Sequence, residues 1–300
     1  MKRLKILFLN KYQGKVNRGA ETFVSELSKR LSKRHDISIN VLPAGCNIVV
    51  PTNGRLQALS TRMATLLNGS KMIVSGQSGI GLDDRINLYC FPDVFVALSD
   101  DAESWAKKIN PFVKVVKIPN GVDPRKYNFS NNRPKDVILS VGAFTKEKRH
   151  DLTIKAVAKL KSVKLVIIGG GGNKKDEIEA LGTRLLGTRF EIKSVSNEKM
   201  PEVYKKADVF AYPTVPWESF GIAMVEAMAS GLPVVATDDP IRREIVGDAG
   251  FFVDPTDTDA YAKALKEALD KNWGDIPRKQ AEKFDWDEIA IEYEKLFKSL

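Results

Sequence analysis

The chain is poor in the residues that build metal centres and covalent staples. Its 300 residues include two cysteines, Cys46 and Cys90, and two histidines, His35 and His150. They lack the spacing of a structural zinc site. So few thiols predict a reducing, cytoplasmic setting rather than a disulfide framework. No apolar run approaches the ~20 residues of a membrane span. The opening MKRLKILFLN is interrupted by Lys5 and has no small-residue cleavage site after it, so it predicts a first β-strand and not a leader. Internal repeats and low-complexity tracts are absent, which excludes a solenoid or a tail-dominated protein. The neighbouring acids Asp83 and Asp84 read as solvated loop carboxylates rather than a metal pair, and His150 reads as a surface or helix-start residue.

What is present fits a globular protein: 43% hydrophobic and 8% aromatic residues, with length for two domains of ordinary size. The net charge of +9 is uneven. Residues 1–128 hold 20 Lys and Arg against 10 Asp and Glu, and the remainder holds 27 against 28. A basic amino-terminal part draws anionic partners. Basic residues are not interleaved with aromatics, so nucleic acid is not the partner expected.

Hydrophobic patterning alternates between strand and helix. Strands are predicted over 4–10, 37–42, 47–50, 72–75, 94–98 and 113–118, and helices over 19–34, 56–67 and 100–109, the last opening after a capping Ser99. The turn cluster Asn120-Gly121-Val122-Asp123-Pro124 and the polar stretch 128–135 mark a linker. Alternation then restarts, with strands over 136–141, 165–169, 189–193, 209–212, 233–237 and 251–253, and a final helix over 285–299. This predicts two doubly wound, Rossmann-like α/β domains, residues 1–128 and 129–284, with 285–300 returning as a helix to the first domain. Ligands of such sheets sit outside the carboxyl ends of the strands.

The most informative stretch is Trp217–Thr237, WESFGIAMVEAMASGLPVVAT. It reads as a strand end, a loop, a helix carrying Glu226, a stop at Gly231-Leu232-Pro233, and another strand. Glu218 precedes a Phe-Gly pair that opens the helix. A helix mouth offers backbone N–H groups and a positive dipole end. A carboxylate beside it accepts from hydroxyls while the amides donate, which suits a sugar. Spacing alone fits an exposed acidic helix face equally well.

The string resembles the nucleotide-sugar site of retaining glycosyltransferases of family 4, the GT-B type also called glycosyl transferases group 1. The resemblance runs strongly over 137–269 and more loosely before that. It implies a GT-B fold with an inter-domain cleft that closes to exclude water. By resemblance, Glu218 and the amides of Phe220, Gly221 and Ile222 orient the sugar, and Glu226 binds ribose hydroxyls. In VGAFTKEKRHD, Gly142 and Lys148 match the family's pattern, and Lys148 neutralises the departing phosphate. Ala143 stands where an arginine is usual, and Arg149 or Lys146 is a candidate replacement. Gly169 opens a glycine-rich turn at the floor of the nucleotide site, or is there for close packing. Gly19 fills one place of a two-glycine phosphate turn whose other place holds Arg18. Gln77 stands where many members have a histidine, and it cannot titrate.

The implied reaction transfers a hexose from a UDP- or GDP-sugar to an acceptor hydroxyl with retention, needing no metal and no cofactor. It would serve glycolipid, polysaccharide or other glycoconjugate synthesis. A degenerate nucleotide-sugar binder and a GT-B epimerase or hydrolase are the alternatives. The basic amino-terminal part predicts an anionic acceptor, and Lys29, Arg30, Lys33 and Arg34 at the end of the first helix are candidates for a peripheral contact with an anionic membrane.

Overall fold

The computed structural model describes residues 3–14, 19–127 and 135–300. Residues 15–18 of the expected phosphate turn, Arg18 among them, and nearly all of the expected linker (128–134) lie outside the described residues. The chain divides into two compact units, Met1–Gly121 with Trp217–Phe220 and Phe284–Leu300, and Val122–Pro216 with Gly221–Lys283.

In the amino-terminal unit, β1 (Lys5–Leu9), β2 (Asp36–Ile39), β3 (Ile48–Pro51), β4 (Lys71–Ser75), β5 (Val94–Ala97) and β6 (Val115–Lys117) form a parallel sheet of order β2-β1-β3-β4-β5-β6. Its helices are α1 (Gly19–Leu31), α2 (Leu56–Asn68), α3 (Leu82–Tyr89) and α4 (Asp100–Ile109). Ser99 caps α4 as expected, its hydroxyl accepting from the Ala102 amide at 3.2 Å. The strands are apolar on both faces because both are covered. On one side Phe23 of α1 meets Phe8 and, from the chain's last helix, Trp286 and Tyr293, the closest ring centroids lying 5.6 Å apart. On the other side Ala58, Met72, Leu88, Phe95 and Ala106 make a second core.

The carboxyl-terminal unit repeats the plan. Its strands are β7 (Val137–Val141), β8 (Lys164–Ile168), β9 (Phe190–Lys193), β10 (Val209–Tyr212), β11 (Val234–Thr237) and β12 (Gly250–Val253), in parallel order β12-β11-β10-β7-β8-β9. Helices α5 (His150–Ala158), α6 (Lys175–Leu186), α7 (Met200–Tyr204), α8 (Ile222–Ala229), α9 (Pro240–Val246), α10 (Thr258–Asp270) and α11 (Ile276–Glu282) flank it. Its core joins Ile138, Ile154, Leu165, Val209, Val235 and Tyr261. The last helix, α12 (Trp286–Lys298), belongs to the amino-terminal unit and begins after Asp285, whose carboxylate accepts from the Asp287 amide at 2.8 Å. Two doubly wound sheets are what the alternation predicts.

Two local expectations are corrected. Asp83 and Asp84 are on α3, not in a loop, and Asp84 is buried. His150 does open a helix but is buried, not on the surface. Its position matches Thr153, Ile154 and Val157 on one helical face, and that face meets the sheet.

Candidate functional site

In a doubly wound sheet, consecutive crossovers run outward in opposite directions from one point, and the loops there part to leave a crevice. In the carboxyl-terminal unit that point lies between β7 and β10. The loops leaving these two strands carry Gly142–Arg149 and Pro213–Gly221. They are tied together, the Val215 amide donating to the Glu147 carbonyl at 3.0 Å.

Lys148 lies on this crevice. Its stem packs across Gly142, and its Nζ stands 5.8 Å from the centre of the Tyr212 ring at the end of β10. Tyr212 in turn meets the start of α8. A Cβ on Gly221 would fall 2.8 Å from the Tyr212 hydroxyl oxygen and from Met224 Cε, and Gly221 has φ +88°. Only glycine takes that backbone at no steric cost while letting the ring approach. One turn along, Glu226 Oε2 accepts from the Tyr204 hydroxyl at 2.9 Å. Burial and the adjacent Glu226 charge push the Tyr204 phenol well above its ordinary range, so it remains a donor that aims the carboxylate. Lys148, Tyr212, Gly221, Glu226 and Tyr204 thus form one chain of neighbours.

Packed loops and the buried side chains of Phe144, His150 and Arg242 support this crevice. Gly169, after β8, lies against the Gly142 carbonyl and Phe144, and the Phe144 amide donates to the Gly171 carbonyl at 3.0 Å. The glycine-rich turn therefore packs closely against the Gly142 loop. His150 lies beneath the Gly142 loop, its Nδ1 3.1 Å from the Ser140 hydroxyl. Burial lowers its pKa to about 4, so it is neutral near pH 7. Arg149 holds a left-handed backbone, φ +49°. Arg242 is fully buried beside Asp239 at 3.1 Å and donates to the Val215 carbonyl. Tyr204, Tyr212 and Arg242 were not singled out from sequence. The partners that give them importance, Glu226 for Tyr204, Lys148 for Tyr212 and Val215 for Arg242, lie 22 or more residues away in the chain.

In the amino-terminal unit, Gln77 follows β4 and exchanges two hydrogen bonds with Asn120, Nε2 to Oδ1 at 3.0 Å and Nδ2 to Oε1 at 2.9 Å. Its Nε2 also donates to the Ser75 hydroxyl. The Ser219 hydroxyl donates to the Gln77 carbonyl at 3.0 Å, so Glu218 and Gln77 belong to abutting segments. Gly79, φ +84°, permits this contact, because a Cβ there would collide with the Trp217 carbonyl. Phe220 is buried with its ring 5.7 Å from that of Phe284. Gly19 is the first residue of α1.

Asp84 backs the same segment, accepting from the Ser78 and Gly79 amides and from Asn87. Burial raises its pKa from 3.8 to about 7 despite those donors. A carboxyl whose pKa is raised on folding stabilises fully below its unfolded pKa and loses that contribution as pH rises to the folded value, here from about 4 to about 7. Asp84→Asn keeps an acceptor oxygen but cannot ionise. We expect it to be more stable than wild type at pH 8 by roughly 4 kcal/mol, the gap closing towards pH 4. Thermal melts across that range measure this, and a gap independent of pH contradicts it.

The basic end of α1 is less available than its sequence suggests. Arg30 pairs with Glu26 at 2.5 Å and with Asp287 of α12 at 2.6 Å, and Arg34 pairs with Glu294 at 2.7 Å. Lys298 and Arg34 together hold the Glu294 carboxylate at a pKa of about 2. Lys29 remains exposed next to these pairs, as does Lys33.

A family model described as Glycosyl transferases group 1 matches residues 124–285, more than half of the chain. The chain belongs to the glycosyl transferases group 1 family. Lys148, Gly221 and Glu226 all lie in the matched region. Relatives of this group 1 chain include a phosphatidyl-myo-inositol mannosyltransferase of Mycolicibacterium smegmatis, 29% identical over 222 residues, 68% of this chain and 57% of the relative. O-antigen chain mannosyltransferase B of Escherichia coli is 33% identical over 144 residues, 45% of this chain and 37% of the relative. The chain spans about half the length of these curated relatives. Among solved structures, HepE of Anabaena in complex with UDP-glucose superposes with a TM-score of 0.83 at 19% identity, covering 99% of this chain and 100% of that one. The fold is GT-B.

Proposed function

We propose that the chain is a retaining hexosyltransferase of family 4, moving a sugar from a UDP- or GDP-sugar to an acceptor hydroxyl in glycolipid, polysaccharide or other glycoconjugate synthesis. The observation that carries this reading is the grouping of Lys148, Gly221 and Glu226 at the switch point of the carboxyl-terminal sheet, inside the stretch matched by the family model. The mannosyltransferase relatives and the UDP-glucose complex of HepE support a nucleotide-sugar donor.

In this proposal Glu226 accepts from the ribose hydroxyls, and Gly142, Arg149 and Gly169 frame the nucleotide. Lys148 stabilises charge on the departing diphosphate, the kind of electrostatic assistance that contributes most when preorganised. It does so without the arginine that Ala143 replaces. Glu218, with the amides of Phe220, Gly221 and Ile222, orients the sugar. Gln77 offers a hydrogen-bonding amide, and Gly19 a helix-start amide for phosphate. A donor phosphate oxygen takes the acceptor proton, so the chain needs no titrating base.

Basic groups that neutralise the diphosphate make a metal unnecessary. Calorimetric titration of UDP- and GDP-sugars in excess EDTA should give the same donor affinity as in magnesium or manganese. Binding that appears only on adding either ion contradicts the proposal. The product's anomeric configuration, read by NMR, should match the donor's, and inversion would remove the retaining assignment.

A further inference from the structure

Helix α2 has its amphipathic pattern turned inside out. Its buried residues are Ala58, Thr61 and Thr65. Its large apolar side chains, Leu56, Leu59, Met63, Leu66 and Leu67, are all exposed, Leu56 at 82% and Leu67 at 89%. At about 100° per residue they fill a stripe roughly 100° wide, the width by which a helix normally meets a core. No described residue covers it.

Apolar side chains are also exposed on α3, to which the start of α2 is tied. The Arg55 amide at the start of α2 donates to Asn87 Oδ1 at 2.9 Å and the Arg55 guanidinium pairs with Asp83, while Arg62 pairs with Asp93 beyond α3 at 3.0 Å. Leu82 and Tyr89, seven residues apart on one face of α3, are exposed too, and so is Phe91 just beyond. An exposed apolar helix stripe of this extent marks an interaction site.

We propose that this α2–α3 face docks on the surface of an anionic lipid bilayer, α2 lying flat with its stripe among the acyl chains. Charge selects this occupant. α2 contains no carboxylate. Arg62 and Lys71 share the single Asp93, at 3.0 and 3.2 Å, and Arg85 is exposed between Leu82 and Tyr89. The amino-terminal unit as a whole has twenty Lys and Arg against fifteen Asp and Glu. Two copies pressed together through this face would bring these basic groups against each other, whereas anionic headgroups would neutralise them. The face is distinct from the basic end of α1, where Arg30 and Arg34 are paired with α12.

The test uses the full chain and sedimentation with vesicles of equimolar phosphatidylglycerol and phosphatidylcholine, or of phosphatidylcholine alone. Wild type should bind the anionic vesicles more tightly, and salt should weaken that preference. The variant Leu59→Gln, Met63→Gln, Leu67→Gln changes exposed side chains only and should keep its melting temperature. Its partition should fall about tenfold or more. Lys29→Glu with Lys33→Glu should retain more of the binding than the α2 variant. Wild type that ignores anionic vesicles at low salt overturns the proposal, as does a stripe variant that binds like wild type. So does a wild-type dimer that the stripe variant dissociates, with no lipid binding by either. The readout is membrane partition and not turnover, so this proposal and the transferase assignment can fail separately.

Discussion

Lys148→Ala should lower kcat by roughly 10²–10³-fold and weaken donor binding much less. Charge on the diphosphate grows as the sugar departs, so a cation beside it stabilises the transition state more than the bound donor. In the proposed reaction Lys148 is the cation for this task. Its stem is confined against Gly142 and its ammonium group stands over Tyr212, at the mouth of α8. Lys146 is more exposed, and Arg149 is turned into a left-handed backbone. Steady-state kinetics at saturating donor and acceptor separate the two effects. Equal turnover in variant and wild type would transfer the role to Arg149 or Lys146. A loss confined to donor KM would mean that Lys148 acts on the ground state.

Glu226→Ala should weaken donor affinity by about 1–3 kcal/mol, roughly five- to 150-fold, because two ribose hydroxyls would lose a charged acceptor. It should also lower the melting temperature, since the buried Tyr204 hydroxyl loses its 2.9 Å partner. Glu226→Gln separates these effects. It retains an acceptor for Tyr204 but not the charge, so it should melt close to wild type and still bind donor more weakly. Unchanged calorimetric affinity in folded Glu226→Gln and Glu226→Ala would remove Glu226 from the site. Tyr204→Phe leaves the carboxylate in place without this donor, and should weaken donor binding less than Glu226→Ala.

The architecture was legible because strand and helix periods alternate along most of the chain, and because buried parallel strands are apolar on both faces. Cap chemistry placed the start of α4 at Ser99, and the run from Trp217 to Thr237 located α8 between β10 and β11. Helix α3 escaped the reading because its eight residues, LDDRINLY, look like a polar loop, and burial of Asp84 depends on amides that the fold brings to it. The burial of His150 was available from its spacing to Thr153, Ile154 and Val157, but its basic neighbours pointed to the surface. Long-range pairings were not available at all. Nothing in the sequence joins Arg30 to Asp287, Tyr204 to Glu226 or Arg242 to Val215. These pairings decide whether a charge faces solvent, aims a ligand group or braces a loop. The outward apolar face of α2 was hidden for a related reason, since periodicity shows that a stripe exists but not which way it points.

If the crevice holding Lys148, Gly221 and Glu226 serves transfer from a nucleotide sugar, as proposed, the protein releases free nucleotide as it turns over. The most direct measurement is release of free nucleotide from a panel of UDP-, GDP- and ADP-sugars in excess EDTA, with and without extracted lipid and polysaccharide acceptors. Release is expected from one donor class, accelerated by one acceptor fraction, and lost in both Lys148→Ala and Glu226→Ala. Absence of release from every donor, with wild-type protein folded and acceptor present, would contradict it.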